Sequence, residues 1–173
     1  MLFAEHGHRT AIFADEIGQR TTSAAAAAIW FPYDTGLSGR VIRWALATFN
    51  VLAELAADPR CGVSIIELRH CSRSERIQIP QWAAQLGASS ISPGVFPSAF
   101  QMNVPLMDTT IYLAYLARRF RDAGGKLHDN IRFEKLEDVD STFDLVINCA
   151  GIGARKLAHD PTLEPHRGQV AIV

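Results

Sequence analysis

The first fifteen residues constrain the fold more than any other part of the chain. Residues 1–8 predict the last turns of a helix that closes at Gly7, and residues 9–15 form a short apolar run that ends in the acid Asp15. A continuous apolar run of this length indicates a strand covered on both faces, as in a parallel sheet. The chain therefore predicts an α/β fold with a parallel strand close to its beginning.

The position of Asp15 suggests what the predicted sheet binds. In a dinucleotide-binding unit a helix is followed by a strand whose terminal acid holds the adenosine ribose. The first strand and the glycine-rich turn of such a unit precede that helix, so we expect them to lie upstream of Met1. These residues alone leave open the alternative in which Asp15 only begins a turn.

The last thirty residues repeat the strand pattern. Residues 143–151 form a nearly continuous apolar run that ends in a small-residue turn, which predicts a central strand. We expect residues 9–14 and 144–149 to lie in one largely parallel sheet. Residues 154–159 predict a short helix, and residues 167–173 begin a further strand, so both ends of the chain look cut.

The middle of the chain predicts two long helices and a second sheet. Apolar residues recur at helical spacing over 40–57 and again over 109–123. Residues 61–71 predict a strand, and residues 99–106 alternate strictly between apolar and polar. Such alternation is typical of a half-buried antiparallel strand with one wet face. Residues 128–133 predict one more strand.

Composition excludes several classes of function. A net charge of -1 gives no basic excess for binding nucleic acid or an anionic membrane surface. Three cysteines without paired spacing predict no disulfide framework, and six histidines without a close cluster predict no metal site. No apolar run is long enough to span a membrane. We therefore expect a globular, cytoplasmic protein.

Two motifs point to a known family. The first, residues 21–33, reads TTSAAAAAIWFPY; the second begins with VINCAG at residues 146–151 and leads to RGQ at residues 167–169. Taken together and in this order, they resemble the D-amino-acid oxidase family, including its D-aspartate oxidase branch. The resemblance runs along nearly the whole chain, and it implies a member truncated at both ends.

The resemblance implies a fold and a division into domains. The fold class is α/β, with a partial FAD-binding, Rossmann-like parallel sheet that lacks its first strand and glycine-rich turn. An antiparallel substrate-domain sheet is inserted into it. We expect residues 1–58 to belong to the FAD-binding part, residues 59–125 to the substrate domain, and residues 126–173 to the continuation of the FAD-binding part.

The resemblance also implies an FAD site. Hydroxyl and backbone N–H groups would meet the cofactor's ribose and pyrophosphate oxygens, and alanines would let the backbone approach the flat flavin ring. A main-chain group of residues 131–133 would meet the adenine. The expected cofactor-binding residues are Asp15, Thr21, Thr22, Ser23, Ala27, Ala28, Ile29, Ala150 and Gly151.

The same resemblance places Ile29 and Phe31 at the substrate pocket. Phe31 departs from the polar residue expected in vertebrate enzymes, which indicates a substrate with an apolar side chain. In the family, the arginine and tyrosines that hold the substrate carboxylate come from a later segment, beyond Val173. The resemblance therefore assigns no catalytic residue to this chain.

The implied reaction is the FAD-dependent oxidative deamination of a D-amino acid by oxygen, which gives a 2-oxo acid, ammonia and hydrogen peroxide. We expect the 173-residue chain by itself to be an inactive fragment. A glycine oxidase-like flavin amine oxidase and a non-enzymatic remnant that acts as a binding module remain alternatives. A sheet without its first strand exposes an edge, which favours oligomers such as a homodimer.

Overall fold

The computed structural model describes residues 1–26, 28–32, 39–73, 76–92, 94–165 and 168. Two units can be distinguished by their internal contacts: Met1–Thr21 with Arg119–Val173, and Thr22–Arg118. The described elements, in chain order, are α1 (Leu2–Glu5), β1 (Ala11–Phe13), α2 (Thr22–Ala25), β2 (Ala28–Ile29), α3 (Gly39–Leu55), β3 (Val63–Ser72), α4 (Gln81–Gln85), β4 (Ser89–Ile91), β5 (Ser98–Met107), α5 (Thr109–Asp122), β6 (Lys126–His128) and α6 (Ala154–Leu157).

The first unit contains a parallel pair of strands. β1 and β6 run parallel, from Ala11 beside Lys126 to Phe13 beside His128. The Ala14 N–H donates to the carbonyl of His128 at 3.0 Å, which continues the ladder beyond β1. The predicted strand at 9–14 is therefore confirmed. The strand predicted at 128–133 was wrong for residues 129–133, which lie in no strand, because the parallel partner β6 covers Lys126–His128.

An aromatic cluster packs against this pair of strands. The ring of Phe13 stacks on that of His128, with 4.9 Å between centroids. Phe133 and Phe143 both meet Phe13 edge-on, each at 5.8 Å. Because offset stacks and edge-on contacts are the favoured aromatic geometries, they attach the segment after β6 to β1.

Residues 144–149 do not form the strand that the sequence predicts. Their backbone is irregular, and the side chains of Leu145, Val146 and Ile147 are 64%, 47% and 57% exposed. A strand needs a neighbour for its backbone N–H and C=O groups, and no other described segment pairs with these residues. The prediction that residues 9–14 and 144–149 share one sheet was therefore wrong.

The second unit is built on an antiparallel sheet with β5 at its centre. β3 pairs with β5 along ten residues, from Val63 opposite Met107 to Ser72 opposite Ser98. β2 and β4 also pair antiparallel with β5, at its end and its beginning respectively. The strands predicted at 61–71 and 99–106 are confirmed, and so is the presence of both a parallel and an antiparallel sheet.

The predicted wet face of β5 is shorter than its sequence pattern suggests. Asn103 is exposed and Gln101 is half-buried, whereas Phe100, Met102 and Val104 are buried, as alternation predicts. At the ends of β5 both faces are covered, and Pro105 is fully buried.

Helices α3 and α4 cover the buried face of this sheet. Trp30 lies in the centre of that core and is 6% exposed. Its indole Nε1–H donates to the Ala45 carbonyl in α3 at 3.0 Å, and its ring meets Phe49 and Trp82 edge-on at 4.9 and 5.7 Å. The helix predicted at 40–57 is confirmed, and its apolar stripe packs on the sheet. The three-part domain division remains a prediction.

No helix in the described ranges is long and apolar enough to cross a membrane. Within the same ranges, no three histidine, cysteine or acidic side chains lie close enough together to hold a metal ion.

An ion pair joins α1 to α5, and a glycine cap closes the C-terminal end of α5. The carboxylate of Glu5 accepts a hydrogen bond from Arg119 Nε at 2.6 Å, which attaches α1 to α5. Two residues beyond the end of α5, Gly124 has a φ of +83°. There the Gly125 N–H donates to the Phe120 carbonyl and the Gly124 N–H donates to the Arg121 carbonyl. This is a Schellman motif, which satisfies the last carbonyls of the helix.

We predict that Gly125→Ala destabilises the first unit. A Cβ at this position would lie 2.3 Å from the ring of Phe120, which is 3% exposed and has no room to move. Overpacking of this kind costs about 1–3 kcal/mol of unfolding free energy, which urea unfolding measures. The matched control is Gly153→Ala, whose Cβ would have its nearest neighbour at an ordinary 3.7 Å. Equal stability of the two variants would contradict the packing described.

Candidate functional site

Asp15 lies where the chain leaves β1, as the predicted dinucleotide-binding unit requires. Its carboxylate is 58% exposed, and Oδ2 lies 3.3 Å from the Arg132 guanidinium. Arg132 also lies 3.5 Å from Glu134, whose second oxygen bonds Lys156. Asp15 is therefore one end of a row of ion pairs that continues through Arg132 and Glu134 to Lys156 in α6. Sequence reasoning named the main chain of residues 131–133 but missed the Arg132 side chain, because no motif marks an exposed arginine.

Lys156, at the other end of this row of ion pairs, lowers the pKa of its partner Glu134. Its hydrogen bond and charge, with a smaller contribution from Arg132, hold the pKa of Glu134 below the usual carboxyl value. Because the folded-state pKa is lowered, the interaction stabilises the fold above the usual carboxyl pKa and is lost as the pH falls through the lowered value. Glu134 thus remains ionised at neutral pH.

Thr21 closes a turn that follows Asp15. Its Oγ1 donates to the Gly18 carbonyl at 2.8 Å, and Gly18 has a φ of +61°. Further along, the Ile131 N–H donates to the Ala14 carbonyl at 3.0 Å, so this N–H is already used within the fold. The adenine contact of residues 131–133 stays a prediction, and it would use the other main-chain groups of that segment.

Ala150 and Gly151 form a tight turn in front of α6. The Ala150 N–H donates to the side-chain oxygen of Asn148 at 3.1 Å, and the Gly153 N–H donates to the Ala150 carbonyl at 3.0 Å. Gly151 has a φ of +55°, and a Cβ built on it would meet no atom within 4 Å. The turn therefore presents bare backbone to open space.

In the second unit, the alanine-rich motif changes conformation along its length. α2 covers Thr22–Ala25, and the hydroxyls of Thr22 and Ser23 lie on exposed residues. The Ala24 carbonyl accepts a hydrogen bond from Thr109 Oγ1 at 3.0 Å, which ties α2 to the beginning of α5. Ala27 lies outside the described residues.

β2 leads directly out of this motif. Ala28 and Ile29, both half-buried, pair with Met107 and Leu106 of β5. The Trp30 N–H donates to the Pro105 carbonyl at 2.9 Å. The expected flavin-facing alanine and its neighbour are therefore held on the edge of a sheet, with their side chains only partly covered.

Phe31 lies among other aromatic rings. It stacks on His70 at 5.3 Å, meets Trp82 edge-on at 5.4 Å and lies 6.5 Å from Phe100. His70 and Phe100 in turn stack on each other at 5.2 Å. We call these four rings the Phe31 cluster. Sequence reasoning missed its other three members, since only the fold brings them to Phe31.

Trp82 carries a buried polar group into the Phe31 cluster, its indole N–H. It is 6% exposed, and its Nε1 is the one buried side-chain nitrogen or oxygen among the described residues that has no hydrogen-bond partner. Phe31, whose ring meets that of Trp82 edge-on, carries no side-chain hydrogen-bond acceptor.

Comparison with known proteins now gives these features a context. A family model described as FAD dependent oxidoreductase matches residues 1–173. The D-amino-acid oxidase of Rubrobacter xylanophilus is 37% identical over 96% of this chain and 52% of its own length. That of Streptomyces coelicolor is 32% identical over 100% and 54%, and the D-aspartate oxidase of Homo sapiens is 30% identical over 92% and 50%.

The matches also show how much of its relatives this chain covers and which fold it shares. The chain spans about half the length of the curated relatives it matches. Among solved structures, glycine oxidase from Geobacillus kaustophilus superposes with a TM-score of 0.59 over 80% of this chain and 45% of its own, at 18% sequence identity, which supports the fold. The chain belongs to the D-amino-acid oxidase family of FAD dependent oxidoreductases.

Proposed function

We propose that this chain provides the FAD-binding surface and part of the substrate pocket of a D-amino-acid oxidase. The complete enzyme would convert a D-amino acid and oxygen to a 2-oxo acid, ammonia and hydrogen peroxide. The observation that carries the proposal is that Ala28 and Ile29 of the first motif lie half-buried on an edge strand, and that Ala150 and Gly151 of the second motif form a turn with open space at Gly151. The proposal is supported further by relatives named D-amino-acid oxidase at 37% and 32% identity.

The residues present fit FAD in chemical type. The exposed carboxylate of Asp15 is a hydrogen-bond acceptor for ribose hydroxyls, and the hydroxyls of Thr22 and Ser23 are donors for phosphate oxygens. Gly151 leaves open space where a Cβ would stand, and Ala28 presents a single methyl group. The first unit thus offers a polar partner at Asp15 and bare backbone at Gly151. The second unit offers polar partners at Thr22 and Ser23 and a small side chain at Ala28.

When bound, FAD supplies the acceptor for the hydride that leaves the substrate α-carbon. Ile29 and Phe31 contribute apolar walls, with Phe31 held in place by His70 and Trp82. Apolar walls exclude water and favour substrates with apolar side chains over D-aspartate, whose carboxylate would lose its hydration without a partner. The chain itself contributes binding and orientation.

We assign the groups that hold the substrate carboxylate to residues beyond the 173 of this chain. A carboxylate in an apolar pocket requires a charged, hydrogen-bonding partner such as a bidentate arginine. The chain corresponds to about half of each curated relative, so a second half of comparable size would supply this group.

A second candidate function is that of a glycine oxidase. It is favoured by the fold similarity to the Geobacillus kaustophilus enzyme. The two candidates differ in the substrate side chain, because glycine has none and gains nothing from apolar walls. Comparing glycine with D-alanine and D-valine as substrates distinguishes them. A third candidate, a binding module without activity, predicts turnover of none of these.

We expect Ala28→Leu to weaken FAD retention. The experiment uses a hybrid in which residues 1–173 replace the matching half of the Rubrobacter xylanophilus enzyme. A leucine at this half-buried edge position would fill the space in which the flavin ring approaches the backbone. The control is Ala25→Leu, at an exposed position in α2. The flavin absorbance that remains after gel filtration measures the effect, and equal retention would contradict the assignment of Ala28.

We expect Asp15→Asn in the same hybrid to raise the dissociation constant for FAD about tenfold, the lower end for a lost hydrogen bond to a charged group at an exposed site. Flavin fluorescence titration measures it. Asp129→Asn, an exposed acid one residue beyond β6, is the control and should leave the affinity unchanged. An unchanged affinity in Asp15→Asn would remove Asp15 from the site.

We also expect the purified 173-residue chain to retain no flavin and to produce no peroxide, because the groups proposed to bind the pyrophosphate are only partly among these residues and those proposed to hold the substrate carboxylate lie outside them. The hybrid should be yellow and oxidise D-alanine and D-valine in a peroxide-coupled assay. A yellow, active 173-residue chain would show that these residues suffice. A yellow hybrid that oxidises glycine faster than D-valine would favour the second candidate.

A further inference from the structure

His70 is the exposed member of the Phe31 cluster. It lies on β3, opposite Phe100 of β5, and the stacking of the two rings places both on the same face of the sheet. Ile66 and Leu68 precede His70 on this face of β3 at intervals of two residues, and both are half-buried against the core. His70 is exposed. The apolar face of the strand therefore ends in an imidazole.

Two ring contacts fix the orientation of this imidazole. Its centroid lies 5.3 Å from that of Phe31, with 20° between the ring planes, and 5.2 Å from that of Phe100, with 27° between the planes. Two nearly parallel neighbours leave the His70 ring little freedom to tilt. In the described part of the chain, no residue forms a hydrogen bond with either of its ring nitrogens. The ring is thus held in place while both nitrogens are available to a ligand.

These nitrogens give the Phe31 cluster a hydrogen-bonding capacity that its other members lack. A neutral imidazole has one N–H donor and one acceptor nitrogen. The side chains of Phe31 and Phe100 contain no polar atom, and the one polar atom of the Trp82 side chain is buried. His70 is therefore the member of the cluster that can exchange hydrogen bonds with a bound molecule.

We infer that His70 is a specificity-determining residue, which selects D-amino acids whose side chain carries a hydrogen-bonding group at the end of an apolar stem. This assignment rests on the proposed function, because it takes Phe31 as a wall of the substrate pocket. A side chain that lies along Phe31 and extends past it meets the adjacent imidazole. The primary amide of D-glutamine matches the two nitrogens, since it contains both an acceptor and donors. D-norleucine has a stem of similar length and no such group.

A hydrogen bond to the far end of the substrate acts on binding more than on the chemical step. It forms when the substrate binds and persists in the transition state, so its loss raises KM and leaves kcat nearly unchanged. A purely structural role would have a different signature. If His70 only held Phe31 in place, its replacement would change the oxidation of every substrate that contacts Phe31, whether or not the side chain is polar.

Steady-state kinetics of His70→Phe in the hybrid enzyme test the inference. Phenylalanine keeps an aromatic ring for the two stacks and removes both nitrogens. We expect kcat/KM for D-glutamine to fall about tenfold, mainly through KM, and kcat/KM for D-norleucine to stay unchanged. The matched control is His128→Phe, which replaces an exposed histidine stacked on Phe13 in the first unit. It should leave the kinetics of both substrates unchanged.

Turnover of D-norleucine by His70→Phe shows that the variant is folded and loaded with flavin. An unchanged kcat/KM for D-glutamine, or an equal loss with both substrates, would overturn the role of His70 and leave the proposed function standing. So would an unsubstituted hybrid that oxidises D-norleucine but not D-glutamine. A hybrid that retains flavin and oxidises no D-amino acid would overturn the proposed function and the role of His70 with it.

Discussion

The pairing of β5 with β3 is the interaction on which the larger unit depends. Ten residues of each strand pair, and both other strands of this sheet attach to β5 alone. The buried face of β5 also presents Phe100, Met102 and Val104, against which α3 and α4 pack. Because all these partners precede β5 in sequence and contact it along its length, the core forms only when the strand is in its final register. A one-residue shift would exchange its buried and exposed faces.

The elements that the sequence predicts well are those whose pattern is set by their own core contacts. α3, α5 and β5 have apolar periods that match the surfaces they bury, so their positions could be read within about two residues. The segment at 144–149 has an equally strong pattern but remains irregular. Its apolar side chains describe a strand between two neighbours, and a strand exists only where a neighbour pairs with it.

The candidate site was predictable where a motif has a fixed local shape. The turn at Gly151 and the acid at the end of β1 follow from short-range sequence, whereas the passage of the alanine run from α2 into β2 was not predicted. Contacts between distant residues were not predictable in the same way. Arg132 reaches Asp15 across 117 positions, and no periodicity indicates that pair.

The unpaired indole N–H of Trp82 lowers the stability of the second unit. A buried donor without an acceptor costs about 1–3 kcal/mol of unfolding free energy. A substitution that places a hydrogen-bond acceptor within reach of this Nε1 would therefore make the second unit harder to unfold.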